Sequence, residues 1–395
     1  MTTQKISFYN LAWRWHFYAG LFVAPFMVLL ALTGIIYLFK PQLDPLMYGH
    51  LLTVPAAEHA LSADEQLQRV QAAYPHAAIS KYLPPADATR SAQFVMRNDA
   101  HEVTVFIDPY RGTVLGEQDA NNNLQAIVRA LHGELMIGTV GDRLIELAAG
   151  WGVMLVVSGL YLWWPRGKSS AGILWPRFNT RGRVFWRDLH AVAGFWGAAF
   201  LLVMLLSGMT WTGFWGKQYA DLWNTFPAAM WNSVPQSDQQ ARVLNTATQQ
   251  TVPWALENTP MPMSGDHAEH MNHGAMHAGP AAPTVRLQQV VDLANARKVE
   301  PGYSITFPTT ATGVFTVAVF ADDPRNDATL HVDQYTGKVL ADVRWDHYNL
   351  VARATETGVM LHEGKMFGWV NQLIVLVICL MILLSAVSGV VIWWK

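Results

Sequence analysis

Cysteine is almost absent from this chain of 395 residues, which has one, Cys379. A single cysteine excludes an internal disulfide and an iron–sulfur cluster held by cysteines. It also excludes a covalently attached c-type haem, which needs a Cys-x-x-Cys-His sequence. Charged residues are scarce as well, at 14%, whereas hydrophobic residues make up 51%. So little charge at this length is typical of a protein with membrane segments.

Several function classes have no support in the sequence. The formal net charge is −2, which gives no indication of nucleic-acid binding. No Ser-His-Asp, Cys-His or paired-carboxylate arrangement stands out, and neither does a phosphate-binding loop. Hydrolysis and nucleotide binding are therefore not predicted.

Four apolar segments are long enough to cross a bilayer whose hydrocarbon core is roughly 30 Å thick, at about 1.5 Å of helix per residue. The first segment is too long for the apolar core of a signal peptide, and no small-x-small cleavage site follows it, so we expect an uncleaved signal anchor. The predicted spans are 17–39, 147–164, 191–214 and 369–394.

The distribution of basic residues predicts the orientation. The short segment 165–187 contains six Arg or Lys and no Asp or Glu. By the positive-inside rule this loop and both termini are cytoplasmic. The two long polar segments then face the other side, which is the periplasm for a bacterial inner membrane.

Each long polar segment is predicted to form a small α+β module, a helix followed by antiparallel strands. In the first module we expect a helix from Ser62 to Tyr74 and strands at 93–96, 102–107 and 113–115. In the second we expect a helix at 285–297 and strands at 304–307, 314–320 and 329–332. Both modules contain an Asp-x-Tyr-x-Gly turn, at 108–112 and 333–337.

The chain contains an internal repeat. His16 and His190 open the first and third spans, and each is followed by glycines four and eighteen residues later. His132 and His362 precede the second and fourth spans, each with glycines six and twenty-seven residues later. The sequence therefore predicts a tandem duplication of one unit.

A duplicated unit places four histidines at matching points of four membrane helices. A pseudo-twofold axis would bring His16 toward His190 and His132 toward His362, although mixed pairs stay open at this stage. Paired histidines across a bundle are what a six-coordinate haem iron needs. Because 32 residues separate His132 from Trp164, about 48 Å if helical throughout, we expect the His132 and His362 pair at or just beyond the outer surface.

Small and basic residues accompany the histidines. The glycines leave room for a flat macrocycle, or alternatively permit close helix packing. Arg14 and Arg187 are placed to pair with haem propionates, and equally to anchor the helices by positive-inside charge. The candidate glycines are Gly20, Gly34, Gly159, Gly194, Gly208 and Gly389.

These features together resemble the PepSY-associated transmembrane family. They are the Trp-Arg sequences before His16 and His190, the Leu-His pairs 131–132 and 361–362, and the Asp-x-Tyr-x-Gly turns. The resemblance covers nearly the whole chain in order. It implies an inner-membrane protein with two haem b groups, and its best understood branch consists of ferric-siderophore reductases acting in the periplasm. It also implies that His16 and His190 ligate one haem and that His132 and His362 ligate the other.

An insert at 261–279 departs from the family pattern. Its thioether and imidazole groups suit copper, above all Cu(I), better than ferric iron. A polar linker is the alternative interpretation. The candidate copper ligands are Met261, Met263, His267, His270, Met271, His273, Met276 and His277.

The sequence as a whole predicts an α-helical four-span bundle with two periplasmic PepSY-like α+β modules. The expected function is electron transfer through two haem b groups from a cytoplasmic or quinol donor to a periplasmic ferric chelate, such as a ferric siderophore. Two alternatives are a copper(II) reductase or copper-handling protein, and a non-enzymatic PepSY sensor or protease regulator. The predicted segments are TM1 at 1–40, module 1 at 41–131, TM2 with its lead-in at 132–164, the loop at 165–187, TM3 at 188–214, module 2 at 215–361 and TM4 at 362–395.

Overall fold

The chain forms two compact units. The computed structural model describes residues 7–98, 101–165, 172–223, 234–245, 251–265 and 284–395. The first, the helical unit, comprises residues 1–40, 127–219 and 358–395. The second, the sheet unit, comprises residues 41–126 and 220–357. The chain therefore passes from one unit to the other four times.

Four long apolar helices build the helical unit. They are α1 (Phe8–Leu38), α5 (Thr139–Trp163), α6 (Gly182–Met209) and α10 (Trp369–Trp394). Helix α1 packs against α5 and α10, and α6 packs against the same two, so the four helices form a ring in which α1 lies diagonally opposite α6. Each is long and apolar enough to cross a membrane, and most of their apolar side chains are not buried within the protein. Such a surface needs a lipid bilayer around it.

Two short helices precede α5 and α10. Helix α4 (Leu124–Glu134) carries His132 near its end, and α9 (Leu350–His362) ends at the other histidine of this pair. Neither helix is continuous with the span that follows. Gly138 and Gly368 stand at φ values of 62° and 61° just before α5 and α10, a conformation that breaks a helix. We predicted a length of about 48 Å on the assumption that one helix runs from His132 to Trp164. This assumption is wrong, because α4 ends at Glu134 and α5 begins at Thr139.

One antiparallel sheet of eight strands is the core of the sheet unit. Its order is β10-β9-β8-β7-β1-β2-β3-β4. The strands of the first half are β1 (Ala78–Leu83), β2 (Ala92–Asn98), β3 (His101–Ile107) and β4 (Val114–Asp119). Those of the second half are β7 (Ser304–Thr306), β8 (Val314–Val319), β9 (Ala328–Asp333) and β10 (Val339–Arg344). Pairing of Tyr82 with Ile305 joins the halves, so the two predicted modules share a single sheet.

The remaining elements of the sheet unit are short. They are α2 (Lys40–Leu52), α3 (Ala63–Ala73), α8 (Leu287–Ala296), β5 (Gln236–Gln240) and β6 (Pro260–Pro262), with α7 (Trp215–Trp223) crossing the boundary between the units. Strands β5 and β6 pair with each other in a separate two-stranded sheet.

Helices α3 and α8 cover one face of the large sheet. Val70 of α3 and Val290 of α8 are fully buried in the apolar core that the strands share. The two helix N-termini cap each other: the Ala63 amide donates to Gln288 and the Leu287 amide donates to Asp64. Because the first amides of a helix have no partner within it, this exchange satisfies both ends and fixes the helices side by side.

The two Asp-x-Tyr-x-Gly turns have the same structure. Asp108 accepts hydrogen bonds from the Tyr110 and Arg111 amides, and Asp333 accepts them from the Tyr335 and Thr336 amides. Each turn ends on a glycine with positive φ, at 67° and 71°, where a side chain would be strained. Both turns therefore have a structural role in connecting strands.

A carboxyl group is completely buried in the sheet unit. Glu356 of α9 has no exposed surface, and its Oε1 accepts a hydrogen bond of 2.9 Å from the Ala255 amide. Burial, together with the charge of nearby Asp327, raises the pKa of Glu356 to about 8. The folded protein thus holds this proton near neutral pH, where the unfolded chain releases it.

This difference in proton binding predicts that stability falls as pH rises. Between the unfolded pKa of 4.5 and the folded value of about 8, the folded state binds one proton more, so the free energy of unfolding should drop by about 1.4 kcal/mol per pH unit from this group. Thermal unfolding of the full chain in detergent at pH 5 to 8 measures the effect. The Glu356→Gln variant should lose this dependence, and Glu300→Gln, at an exposed position, should keep it. Equal slopes in all three proteins would contradict the prediction.

Candidate functional site

Four histidines of the helical unit form two pairs. The rings of His16 and His190 are 6.3 Å apart between centroids, with an interplanar angle of 84°. The rings of His132 and His362 are also 6.3 Å apart, at 87°. The two pairs thus have nearly the same geometry, in the combination that the repeat indicated.

The pairs lie at different levels of α1. One contains His16 itself, and the other contacts α1 at Thr33, whose hydroxyl lies 2.8 Å from Nδ1 of His132. At about 1.5 Å per residue, these levels are roughly 25 Å apart along the helix. Thr33 still belongs to α1, which ends at Leu38. The second pair therefore lies among the ends of the long helices.

Each histidine is held by a hydroxyl group from a neighbouring long helix. The residue in contact with Nδ1 is a serine or threonine that directly precedes a glycine. The contacts are His16 with Ser158 at 2.9 Å, His132 with Thr33 at 2.8 Å, His190 with Ser388 at 3.1 Å and His362 with Ser207 at 3.1 Å.

The direction of these hydrogen bonds is fixed by the helices. Each hydroxyl donates its one proton to the carbonyl four residues earlier in its own helix, at 2.6 to 2.7 Å. It can then only accept, so Nδ1 of each histidine must carry the proton. His190 supports this independently, because its Nδ1 also lies 3.0 Å from the Ser385 carbonyl, which cannot donate. All four rings thus keep an unprotonated Nε2 with its lone pair available.

The glycine after each hydroxyl makes room for the histidine ring. A Cβ added at Gly159 would lie 3.1 Å from Cε1 of His16, and one at Gly208 would lie 3.2 Å from Cε1 of His362. At Gly389 and Gly34 the corresponding distances, to His190 and His132, are 3.6 and 3.7 Å. These four glycines therefore accommodate the imidazoles, and space for a macrocycle beside them stays a prediction.

Gly20 and Gly194 have different surroundings. Each lies one helical turn after a histidine, on the same helix face. A Cβ at Gly194 would meet nothing within 4 Å, and one at Gly20 would meet only Leu155, at 3.9 Å. Open space thus borders the His16 and His190 pair on the helix face that carries the histidines.

The pair geometry fits a metal ion between the two rings. A metal–imidazole bond is about 2 Å long, and the ring centre lies about 1 Å beyond the nitrogen, so one ion between two rings sets their centres about 6 Å apart. No group of three or more His, Cys, Asp or Glu side chains that could hold a metal occurs within the described ranges. Among the described residues each site thus offers two imidazoles, a ligand set that would suit an iron held in a porphyrin.

Comparison with protein families agrees with this architecture. The family described as the PepSY-associated TM region matches residues 13–395, nearly the whole chain. The chain belongs to the PepSY-associated transmembrane family. None of the curated proteins compared matches it.

The two arginines of this PepSY-associated protein have distinct environments. Arg187 is exposed and lies 3.0 Å from buried Asp188, which Arg177 also contacts at 2.6 Å. Arg14 lines an apolar groove beside Trp15. Arg187 is thus already engaged by a carboxylate, whereas Arg14 faces a cavity.

Two of the eight candidate copper ligands can be located in this family member. Met261 is buried in β6, and Met263 follows this strand and is partly exposed. The other six candidates, namely His267, His270, Met271, His273, Met276 and His277, lie outside the described residues. Copper binding by this segment stays a prediction.

The hydroxyl groups are the site residues that the sequence did not identify. Thr33, Ser158, Ser207 and Ser388 all stand before a glycine of the repeat. Their recurrence at four matched positions was visible, but a hydroxyl in an apolar helix commonly bonds its own backbone. Only the approach of the histidine from another helix reveals the second contact.

Proposed function

We propose that this protein is an inner-membrane oxidoreductase that holds one haem b at each histidine pair and transfers electrons to a ferric chelate in the periplasm. The observation that carries the proposal is the doubled geometry, two imidazole pairs at 6.3 Å between centroids with Nδ1 fixed as the donor. A histidine that coordinates a metal almost always donates its other N–H to a fixed acceptor. Four such arrangements in one bundle favour ligation over four isolated interfacial histidines.

The residues of the chain have separate tasks in this proposal. The histidines hold the iron, the Ser and Thr hydroxyls fix the imidazole tautomer, and the apolar helices exclude water from both sites. Haem, when bound, supplies one-electron redox chemistry at a potential set by its ligands, burial and hydrogen bonds. Because the pairs lie at two levels of α1, the bundle would hold two redox centres along the path of an electron that crosses the membrane.

The orientation follows from charge. Basic residues concentrate in the segment 165–187, so we assign it and both termini to the cytoplasm. The His16 and His190 pair then lies toward the cytoplasmic face. The His132 and His362 pair would then lie toward the periplasm, the side that we assign to the two long polar segments of the sequence.

The proposed substrate is ferric iron in an oxygen-rich chelate, most simply a siderophore. One electron converts Fe(III) to Fe(II), a softer ion of lower charge that hard oxygen ligands bind far more weakly. Reduction therefore releases the iron without any bond of the chelator being broken. Iron release by reduction needs neither hydrolysis nor a nucleotide, which agrees with a sequence in which no motif for either stands out.

Two measurements test the function. The purified protein should show the sharp reduced bands of bis-imidazole haem, and haem extraction should give two per chain. Membrane vesicles carrying the dithionite-reduced protein should reduce an added ferric siderophore, detected as Fe(II) trapped by ferrozine, while vesicles without the protein serve as the control. A colourless preparation would contradict the proposal and favour a non-enzymatic sensor.

A further inference from the structure

An apolar groove runs between α1 and α5 of the helical unit. It has a volume of about 570 Å³, and Trp15, Leu147 and Trp151 also line a second cavity of about 450 Å³. Volumes of roughly 300 to 1,000 Å³ with aromatic linings are typical of small-molecule sites. The remaining residues of the first cavity are Leu11, Arg14, Tyr18, Ala19 and Phe22.

The groove opens on the lipid-facing surface of two membrane helices. Trp15, Tyr18 and Leu147 are 54, 65 and 49% exposed, although they lie on α1 and α5. Because both helices are candidate membrane spans, an occupant would reach the groove from the bilayer. The rings of Trp15 and Trp151 stack at 5.8 Å between centroids and 15°, and these two residues form an aromatic wall that lines both cavities. Such a wall suits a planar ring, which stacks on aromatic faces.

The groove lies along the same part of α1 as His16. Trp15 directly precedes His16 in α1, and Ala19, which also lines the groove, directly precedes Gly20. Arg14 adds a cationic donor at the same level. An aromatic, lipid-soluble molecule in this groove would thus lie at the level of His16 on α1.

The matching region around α6 and α10 has a different composition. Leu189 stands before His190 where Trp15 stands before His16. In α5, Trp151 stands eight residues before Gly159. The matching position in α10, eight residues before Gly389, is Met381. The Met381 side chain lies against Gly197 of α6. The aromatic wall therefore belongs to one half of the bundle only, although the histidine pairs of both levels have matched geometry.

We propose that this groove binds a membrane quinol, which is the electron donor of the His16 and His190 site. The inference rests on the function proposed above and names the donor. Oxidation of the quinol to the quinone breaks two O–H bonds, releases two protons to water and yields two electrons. The electrons leave one at a time and reduce two ferric ions to ferrous ions. The planar head group stacks on the indole rings with Arg14 near its oxygen, and the isoprenoid tail follows the apolar wall along α5.

The test replaces the groove residues with their counterparts from the other half. The full-length protein with Trp15→Leu and Trp151→Met is purified in detergent, and the quinone retained per chain is measured after solvent extraction. A second measurement follows anaerobic haem reduction by decylubiquinol. Both retained quinone and the reduction rate should fall about tenfold, the size expected for removal of stacked tryptophans. Trp393→Leu, which removes an exposed tryptophan of α10, is the matched control and should behave as wild type.

The outcomes separate this inference from the proposed function. Normal haem content and normal ferric reduction after dithionite, with quinone retention unchanged by the groove substitutions, would overturn the quinol site alone. Extracts that contain phospholipid and no quinone would also overturn it. A protein without haem would contradict the proposed function, while quinone retention would still report on the groove.

Discussion

Replacing His362 with alanine is expected to lower the haem content from two per chain to one and to abolish reduction of a ferric chelate. His362 faces His132 at 6.3 Å between centroids, and Ser207 fixes its tautomer. With one imidazole gone, the remaining ligand of the pair cannot complete a six-coordinate iron. The His16 and His190 pair lies at another level of α1 and should retain its haem. Haem extraction and the reduced spectrum measure both sites.

A histidine outside the bundle provides the control for this variant. His59 is exposed in the sheet unit, so His59→Ala should keep two haems and full activity. His16→Ala should remove the other haem instead, and it should block electron transfer at the first site rather than the second. Full haem retention in His362→Ala would show that this residue is not a ligand.

Replacing Thr33 with valine is the second substitution with a large expected effect. Valine keeps the branched shape of threonine but cannot accept a hydrogen bond. The bond from His132 Nδ1 to the Thr33 hydroxyl, 2.8 Å long, would therefore be lost. The ring then loses the contact that fixes its tautomer and direction. Loss of such a partner of a metal ligand typically costs about 10- to 100-fold in affinity. Haem transfer from the protein to apomyoglobin should be faster by this factor at the second site only.

Thr33→Ser distinguishes the hydroxyl effect from packing. Serine retains the acceptor and removes only a methyl group from a buried position, where Thr33 is 3% exposed. It should restore haem retention close to that of wild type. If valine and serine behave alike, the hydroxyl has no role in holding the histidine.

Much of the helical unit could be predicted because its signals are local and repeated. The predicted spans overlap all four long helices, and the fourth agrees at both ends, Trp369 and Trp394. The fixed spacing between histidines and glycines indicated which histidines would pair. The structure brings together the same two pairs, each with ring centroids 6.3 Å apart. Haem ligation stays a prediction. The helix at 63–73 was also foreseen, since Ser62 and Glu65 form a capping box.

The parts that were missed depend on contacts between distant segments. Strand β1 contains buried Lys81 and lacks clear apolar alternation, so nothing local marks it as a central strand. Its pairing with β7 joins residues more than two hundred positions apart. The break between α4 and α5 depends on left-handed residues, including Leu135 and Met136 at φ of 53° and 56°. Sequence periodicity does not reveal such conformations in non-glycine residues.

The pairing of β1 with β7 also has a consequence for biosynthesis. The first four strands leave the ribosome long before residues 304–306, and two membrane helices are made in the interval. Throughout that time β1 is an open edge, which other chains can join in aggregation. Lys81, a charged residue on that edge, opposes such pairing until β7 arrives. We therefore expect Lys81→Val to yield more misassembled nascent protein even where the finished molecule is equally stable.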